Sequence, residues 1–222
     1  MSMNKEVTIQ ALFDCKDPLI KPLFDASTYP WELLPKIHEI LANLIQNGLK
    51  GYTEIAPMVF VAEGVSIDKN ATIIGPCIIG KNTEIRPNAY IRGDVYIGEN
   101  CIVGNATELK NCILLDNAMV PHYNYVGDSI LGNYAHMGAG AVCSNVRSDN
   151  QDVVIHGDQD YSTHLWKVGA FIGDHAEVGC GAVLNPGVII GKRTSIYPLT
   201  SCRGVYPSDC IVKSTSKIVQ RL

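Results

Sequence analysis

No apolar run in this 222-residue chain reaches 18 residues, so a membrane-spanning helix is not expected. Lysine and arginine form no block, and 18 basic against 22 acidic residues leave a net charge of −4. That balance disfavours a nucleic-acid or anionic-membrane partner. The N-terminus shows no charged-then-apolar leader pattern, and the expectation is a soluble, cytoplasmic protein. The chain carries eight cysteines but no C-x-x-C pair, which argues against zinc and for small buried thiols in a reducing compartment. His136, His156, His164 and His175 lack metal-ligand spacing, so no metal is expected. Nothing resembles a P-loop or a dinucleotide fingerprint.

What is present is a beat of six. Ile55, Val61, Ile67, Ile73, Ile79, Ile85, Ile91, Ile97, Val103, Leu109 and Leu115 follow one another at that spacing. It resumes at Ile172, Val178, Leu184, Ile190, Ile196 and Cys202; between them Val120, Val126, Leu131 and Met137 carry it with two five-residue steps. Six is neither the 3.6 of a helix nor the 2 of a lone strand. It implies one inward residue per short strand and a turn after each. Small or β-branched residues recur four places on, as at Ala71, Cys77, Thr83, Ala89, Cys101 and Thr107. Three hexads make a triangular coil, and coils stack by parallel pairing at about 4.8 Å. The fold class is therefore all-β, a parallel β-helix of hexapeptide repeats over 55–142 and 170–204, about seven coils and about 30 Å long.

Three regions fall outside the beat. Residues 1–50 form an N-terminal helical segment: Pro30 opens and Asn47-Gly48 closes a helix whose apolar face holds Leu33, Leu34, Ile37, Ile40, Leu41 and Leu44. That face is expected to cap the first coil or to meet another subunit. Residues 51–204 form the β-helix, interrupted at 146–169 by a polar insertion. Within it Val153, Val154 and Ile155 pair through a His156-Gly157-Asp158 turn with Leu165–Val168. The insertion is expected to shape a ligand pocket rather than to stabilise the fold. Residues 205–222 read as a tail leaving the coil, polar and helical from Lys213.

The segment 85–145 is the least repetitive. Ile91-Arg92, Val103-Gly104-Asn105 with Glu108-x-Lys110, His122-x-x-Tyr125-x-Gly127-Asp128, and Gly138-Ala139-Gly140 ending at Asn145 stand in order. In these elements the chain resembles the acetyltransferase half of the bifunctional glucosamine-1-phosphate acetyltransferase/N-acetylglucosamine-1-phosphate uridylyltransferases. The resemblance, and it alone, implies a left-handed coil. It also implies a homotrimer with sites between neighbouring prisms, and transfer of an acetyl group from acetyl-coenzyme A to a phosphorylated or nucleotide-linked amino sugar. His122 matches the general base and Glu108 the carboxylate that orients it. Arg92 and Lys110 match phosphate-binding cations, Tyr125 a substrate-contacting hydroxyl and Asn145 the residue that holds the sugar. Ala139 and Gly140 match the approach to the thioester, and Lys167 stands for a coenzyme-binding loop lysine.

The chain also departs from that family. The nucleotide-binding start is absent, so no uridylyltransferase half is expected. His136 stands where an asparagine is usual, at a substrate-contacting position, and Val146 where an aromatic hydroxyl is usual. These changes point to an altered acceptor or to lost activity. Two other readings stay open: a catalytically inactive trimeric binding or regulatory protein, and a γ-class carbonic anhydrase-like enzyme, whose three-histidine spacing His122, His136 and His156 do not reproduce.

Overall fold

The computed structural model describes residues 5–214 and 217–220. Short strands wind into a left-handed parallel β-helix with three faces. On the first face Val61, Ile79, Ile97, Leu114, Leu131, Ile172, Ile190 and Tyr206 stack in one inward column. The second column runs Ile67, Ile85, Val103, Val120, Met137, Val178, Ile196, Val212. The third runs Ile73, Ile91, Leu109, Val126, Cys143, Leu184, Cys202. Together they form one continuous core. Cys77, Cys101 and Cys202 lie buried and unpaired within it, and burial pushes each thiol up.

The small-residue slot has a polar use. Thr83 and Thr107 are fully buried, and each hydroxyl donates to a carbonyl of the next coil, Gly98 O at 2.8 Å and Val120 O at 3.0 Å. Each also accepts a backbone N–H there, from Cys101 and Asn124. A hydroxyl thus satisfies corner groups that the ladder leaves over.

Two inward positions differ from the six-residue reading. Ile55 is 50% exposed, in a strand Tyr52–Ala56 that pairs antiparallel with Val59–Ala62 rather than joining the coil. Leu114, not Leu115, stacks on Ile97. The step from Leu109 is therefore five, as is the step from Val126 to Leu131. In both places a seven-residue strand, Glu108–Leu114 or Tyr125–Leu131, runs through a corner made by one residue. Those residues, Asn111 and Asp128, have φ of +45° and +48°, the left-handed region that Asn and Asp tolerate better than most side chains.

The N-terminal segment does not cap the coil. Its helices Ile9–Leu12, Lys21–Asp25 and Ile37–Gln46 lie along the flank of the prism and cover the outer side of the first face. That side carries its own apolar column: Ile78, Tyr96, Ile113, Ile130, Phe171 and Ile189, each at most 1% exposed. A strand buried on both sides reads as an unbroken apolar run, as in Cys77-Ile78-Ile79 and Ala170-Phe171-Ile172. At about 1.5–3 kcal/mol per buried large side chain, this column outweighs anything a cap on one coil offers. Asp174, buried, fixes the docking: it accepts from Asp14 N at 2.8 Å and Asn133 N at 2.8 Å, with Lys192 Nζ at 3.2 Å.

The insertion joins the same second core. Val154–His156 pairs antiparallel with Asp160–Ser162, not with 165–168, and Lys167 instead bridges back to Val146. Val153, Ile155, Tyr161 and Val168 are buried in the same cluster as Trp31 and Phe171, with the Tyr161 ring 6.0 Å from that of Trp31. The expected independence from the fold is therefore corrected. The tail is corrected too: Val205–Tyr206 and Cys210–Ser214 continue the first and second faces, and Lys217–Gln220 pairs antiparallel with the latter strand. Residues 215–216 and 221–222 of the expected helical tail lie outside the described residues.

Candidate functional site

Four consecutive coils bring most of the expected residues together on the third face. Glu108 and Lys110 alternate outward on one strand, and Tyr125 and Gly127 pair beside them one coil on. Arg92, from the coil before, donates to Glu108 Oε1 at 2.7 Å. Lys110 Nζ stands 3.7 Å from Asp128 Oδ2. Asn145, one coil beyond, donates to Tyr125 Oη at 3.2 Å and to Asp128 Oδ2 at 2.5 Å. Asn111 donates to Asp128 Oδ1 at 2.8 Å.

Asp128, 4% exposed, is thus the centre on which two amides and a lysine converge. A buried carboxylate persists only with such partners. Gly127 makes room for the arrangement, since a Cβ there would meet Tyr125 Oη at 2.4 Å and Asn145 Nδ2 at 2.9 Å. The tyrosine ring therefore lies along the strand toward Asp128. Burial, Asp128 and Glu108 push the Tyr125 phenol up, so it stays a neutral O–H donor.

His122 stands apart. It ends the strand Met119–His122 at the corner between second and third faces, exposed, and among the described residues its ring has no hydrogen-bond or ionic partner. Glu108 is turned to Arg92, so the expected Glu108–His122 contact is not made within this chain. Directly over His122 lies the turn Gly138-Ala139-Gly140: Gly140 N donates to His122 O at 3.0 Å, and Asn124 Nδ2 donates to Gly138 O and Ala141 O. Gly138 N is used by Val178 O. Among the described residues, Ala139 N–H is left as the turn's open donor. His136 sits on the second face, bonded to Glu177 at 2.8 Å, away from the cluster.

Lys167 enters from the insertion. Its ammonium lies 4.7 Å above the Trp166 ring, and both border a cleft of about 250 Å³ with Asn111, Asp128, Leu34 and Pro35. A second cleft, about 390 Å³, lies between the insertion and the upper coils, lined by Ser144, Arg147, His156, Asn185 and Arg203. Asn111 and Asp128 were not assigned a role from sequence. Asp128 carried a signal, because a five-residue step, Val126 to Leu131, falls at it; the step at Asn111 shows only in the structure, where Leu114 replaces Leu115 in the inward column. Among the described residues no group of His, Cys, Asp and Glu is arranged to hold a metal ion, and no helix is long and apolar enough to cross a membrane.

Comparison with known proteins gives three results. A family profile described as the GMPPB C-terminal domain matches residues 73–159. The bifunctional protein GlmU of Methanococcus aeolicus is 36% identical over 185 residues, covering 75% of this chain and 41% of its own length. The bifunctional sugar-1-phosphate nucleotidylyltransferase/acetyltransferase of Sulfurisphaera tokodaii is 33% identical over 174 residues, covering 76% and 43%. The chain thus spans about two fifths of the length of these relatives. Among solved structures, the polySia-specific acetyltransferase NeuO aligns with a TM-score of 0.46 at 14% identity, over 72% of this chain and 86% of its own.

Proposed function

We propose that this left-handed β-helix of hexapeptide repeats, a relative of the bifunctional GlmU proteins, is an acyl-coenzyme A-dependent N-acyltransferase. Its acceptor is a phosphorylated or nucleotide-linked amino sugar, and it works in the cytoplasm. The observation that carries the reading is the third-face cluster, where Lys110 and Asn145 meet Asp128, Asn145 also reaches Tyr125, and Arg92 is held by Glu108 on the same face. Two cations, a phenol and an amide on one patch suit an anionic, hydroxyl-rich acceptor. Acetyl-coenzyme A is the donor, with its thioester near Ala139 and Gly140 and Lys167 toward its phosphates. No metal takes part.

In the reaction, the acceptor amine attacks the thioester carbon and the His122 imidazole takes the proton released from nitrogen. Ala139 N–H faces the oxygen that becomes anionic. Collapse of the intermediate breaks the C–S bond, and the imidazolium returns the proton to the departing thiolate. Glu108 then favours the imidazolium by its charge, and Arg92 and Lys110 hold the phosphate.

The reading includes a homotrimer with sites between neighbouring prisms, in which His122 of one copy serves the cluster of the next. The reading is tested by thiol release from acetyl-coenzyme A with glucosamine 1-phosphate and related amino-sugar phosphates. It fails if no acceptor releases thiol, and the non-catalytic binding or regulatory protein then takes its place. At acceptor concentrations well below KM, mixing His122→Ala with Lys110→Ala chains should give more turnover than the sum of the two variants measured alone; no gain would put the base and the cluster in one chain.

A further inference from the structure

The corner that carries His122 differs from its neighbours in one buried side chain. Where the second face turns into the third, successive coils place Ala89, Thr107, Asn124, Ala141, Ala182 and Thr200 in the same buried slot. Asn124, 2% exposed, is the carboxamide of that column. The alanine slots close their turns with backbone bonds alone: Ala141 N donates to Gly138 O at 3.1 Å and Ala182 N to Gly179 O at 3.2 Å. Bonds from corner to corner recur as well, from Ala106 N to Pro87 O, Gly140 N to His122 O and Gly181 N to Ala139 O. The coil therefore does not require an asparagine at 124.

Both amide protons and the carbonyl oxygen of Asn124 are nevertheless used. Its Oδ1 accepts from His122 N at 3.1 Å, and its Nδ2 donates to Gly138 O at 2.8 Å and to Ala141 O at 3.1 Å. An acceptor facing an N–H and donors facing carbonyls leave a single orientation that satisfies the group. Gly138 O and Ala139 N–H belong to one trans peptide, in which they point in opposite directions. Holding Gly138 O inward on Asn124 thus aims the Ala139 N–H, the open donor of the turn, outward. The same side chain holds His122 by its N–H, while Gly140 N holds its carbonyl at 3.0 Å. Asn124 N itself donates to Thr107 Oγ1 at 3.2 Å, which anchors the arrangement on the coil below.

We propose that Asn124 is a positioning residue that ties the base to the oxyanion donor, one carboxamide fixing the spacing between His122 and the Ala139 N–H. That these two groups serve acyl transfer rests on the acyltransferase reading; the tie between them does not. In such a transfer the donor must point at the oxygen before charge develops there, so a loosened turn costs rate rather than binding. Without Asn124, Gly138 O keeps only Ala141 N and the turn shifts against the imidazole, while the polar contacts of the third face stay in place.

Asn124→Ala, the residue that other coils carry in this slot, and the equal-sized Asn124→Asp are each read in two ways. Amide hydrogen exchange on the full chain, followed by NMR, tests the tie without substrate. In Asn124→Ala, Gly140 N–H should exchange about tenfold faster or more, while Ala106 N–H and Leu199 N–H, which make the same kind of bond at other corners, stay within about twofold. In thiol release from acetyl-coenzyme A, kcat should fall about tenfold or more with both KM values within about twofold. Asn124→Asp keeps an acceptor for His122 N but sets an oxygen against two carbonyls, so it should match Asn124→Ala, and it carries both readings if the alanine variant does not fold. Unchanged Gly140 exchange refutes the tie whatever the activity. Faster exchange with kcat unchanged overturns the positioning role. Wild-type behaviour of Asn124→Asp shows that the bond to His122 suffices and overturns the coupling. If the intact protein releases no thiol with any acceptor, the acyltransferase reading falls and the exchange result alone decides the tie.

Discussion

Phe171→Ala tests whether the outer side of the first face is core or surface. Phe171 is 0% exposed, paired in register with Ile130 and Ile189, and its ring lies 6.3 Å from Trp31 at 49°. A residue pointing out of a bare β-helix would face water, and its truncation would change stability by within about 0.5 kcal/mol. Buried under the N-terminal segment, the same truncation loses the transfer energy of the ring and leaves a cavity, about 3–5 kcal/mol. For a chain of this size, that is roughly 2–4 °C of melting temperature per kcal/mol, or about 6–20 °C in all. The measurement is urea unfolding and thermal melting at fixed protein concentration, because self-association shifts both. Trp31→Ala and the double variant complete a cycle, and a coupling of at least about 0.5 kcal/mol is expected between touching rings. A loss below about 0.5 kcal/mol for Phe171→Ala, with no coupling to Trp31, would refute the docking of the N-terminal segment on this face.

Replacing 146–169 by a short Gly/Ser turn should lower the melting temperature by more than about 10 °C or abolish soluble expression, since Val153, Ile155, Tyr161 and Val168 leave the second core together; unchanged melting would return the insertion to the surface. His122→Ala should reduce turnover about a hundredfold or more with coenzyme binding intact, read by steady-state kinetics and calorimetry. Arg92→Ala and Lys110→Ala should raise KM for a phosphorylated acceptor about tenfold while kcat changes little, and a pure kcat effect would contradict phosphate binding. Tyr125→Phe should weaken acceptor binding without altering the alkaline side of the pH–rate profile up to about pH 9. Burial and the neighbouring carboxylates raise the phenol, so the proton is present in the folded protein throughout that range; an alkaline limb that vanishes with the hydroxyl would reverse the sign of that shift.

The repeat was legible in the chain because a β-helix is locally encoded. Each inward residue meets the equivalent residue one coil later, so every strand carries the same requirement and the period reports the fold. Ile79, Ile97 and Ile190 occupy the inward column that their spacing assigned. Arg92, Glu108, Lys110, Tyr125 and Asn145 were picked out by the family resemblance rather than by the repeat, since other coils also carry charge beside the inward residue, as at Glu84 and Arg86.

Other features depended on contacts between distant segments. The apolar face of Ile37–Gln46 announced a partner without naming it; only the second column, Ile78 to Ile189, shows that the partner is the flank of the prism. The insertion read as polar because its buried residues are few and scattered, yet Tyr161 meets Trp31 across more than a hundred residues of chain, and Val153 lies in the same core. Glu108 was equally free, by spacing, to face His122 or Arg92, and the stacking of adjacent coils put it on Arg92 at 2.7 Å. Asp128 gained its meaning only when two five-residue steps brought Asn111 beside it and the next coil brought Asn145. A hydrogen-bond centre is a property of three coils at once, and no single stretch of sequence carries it.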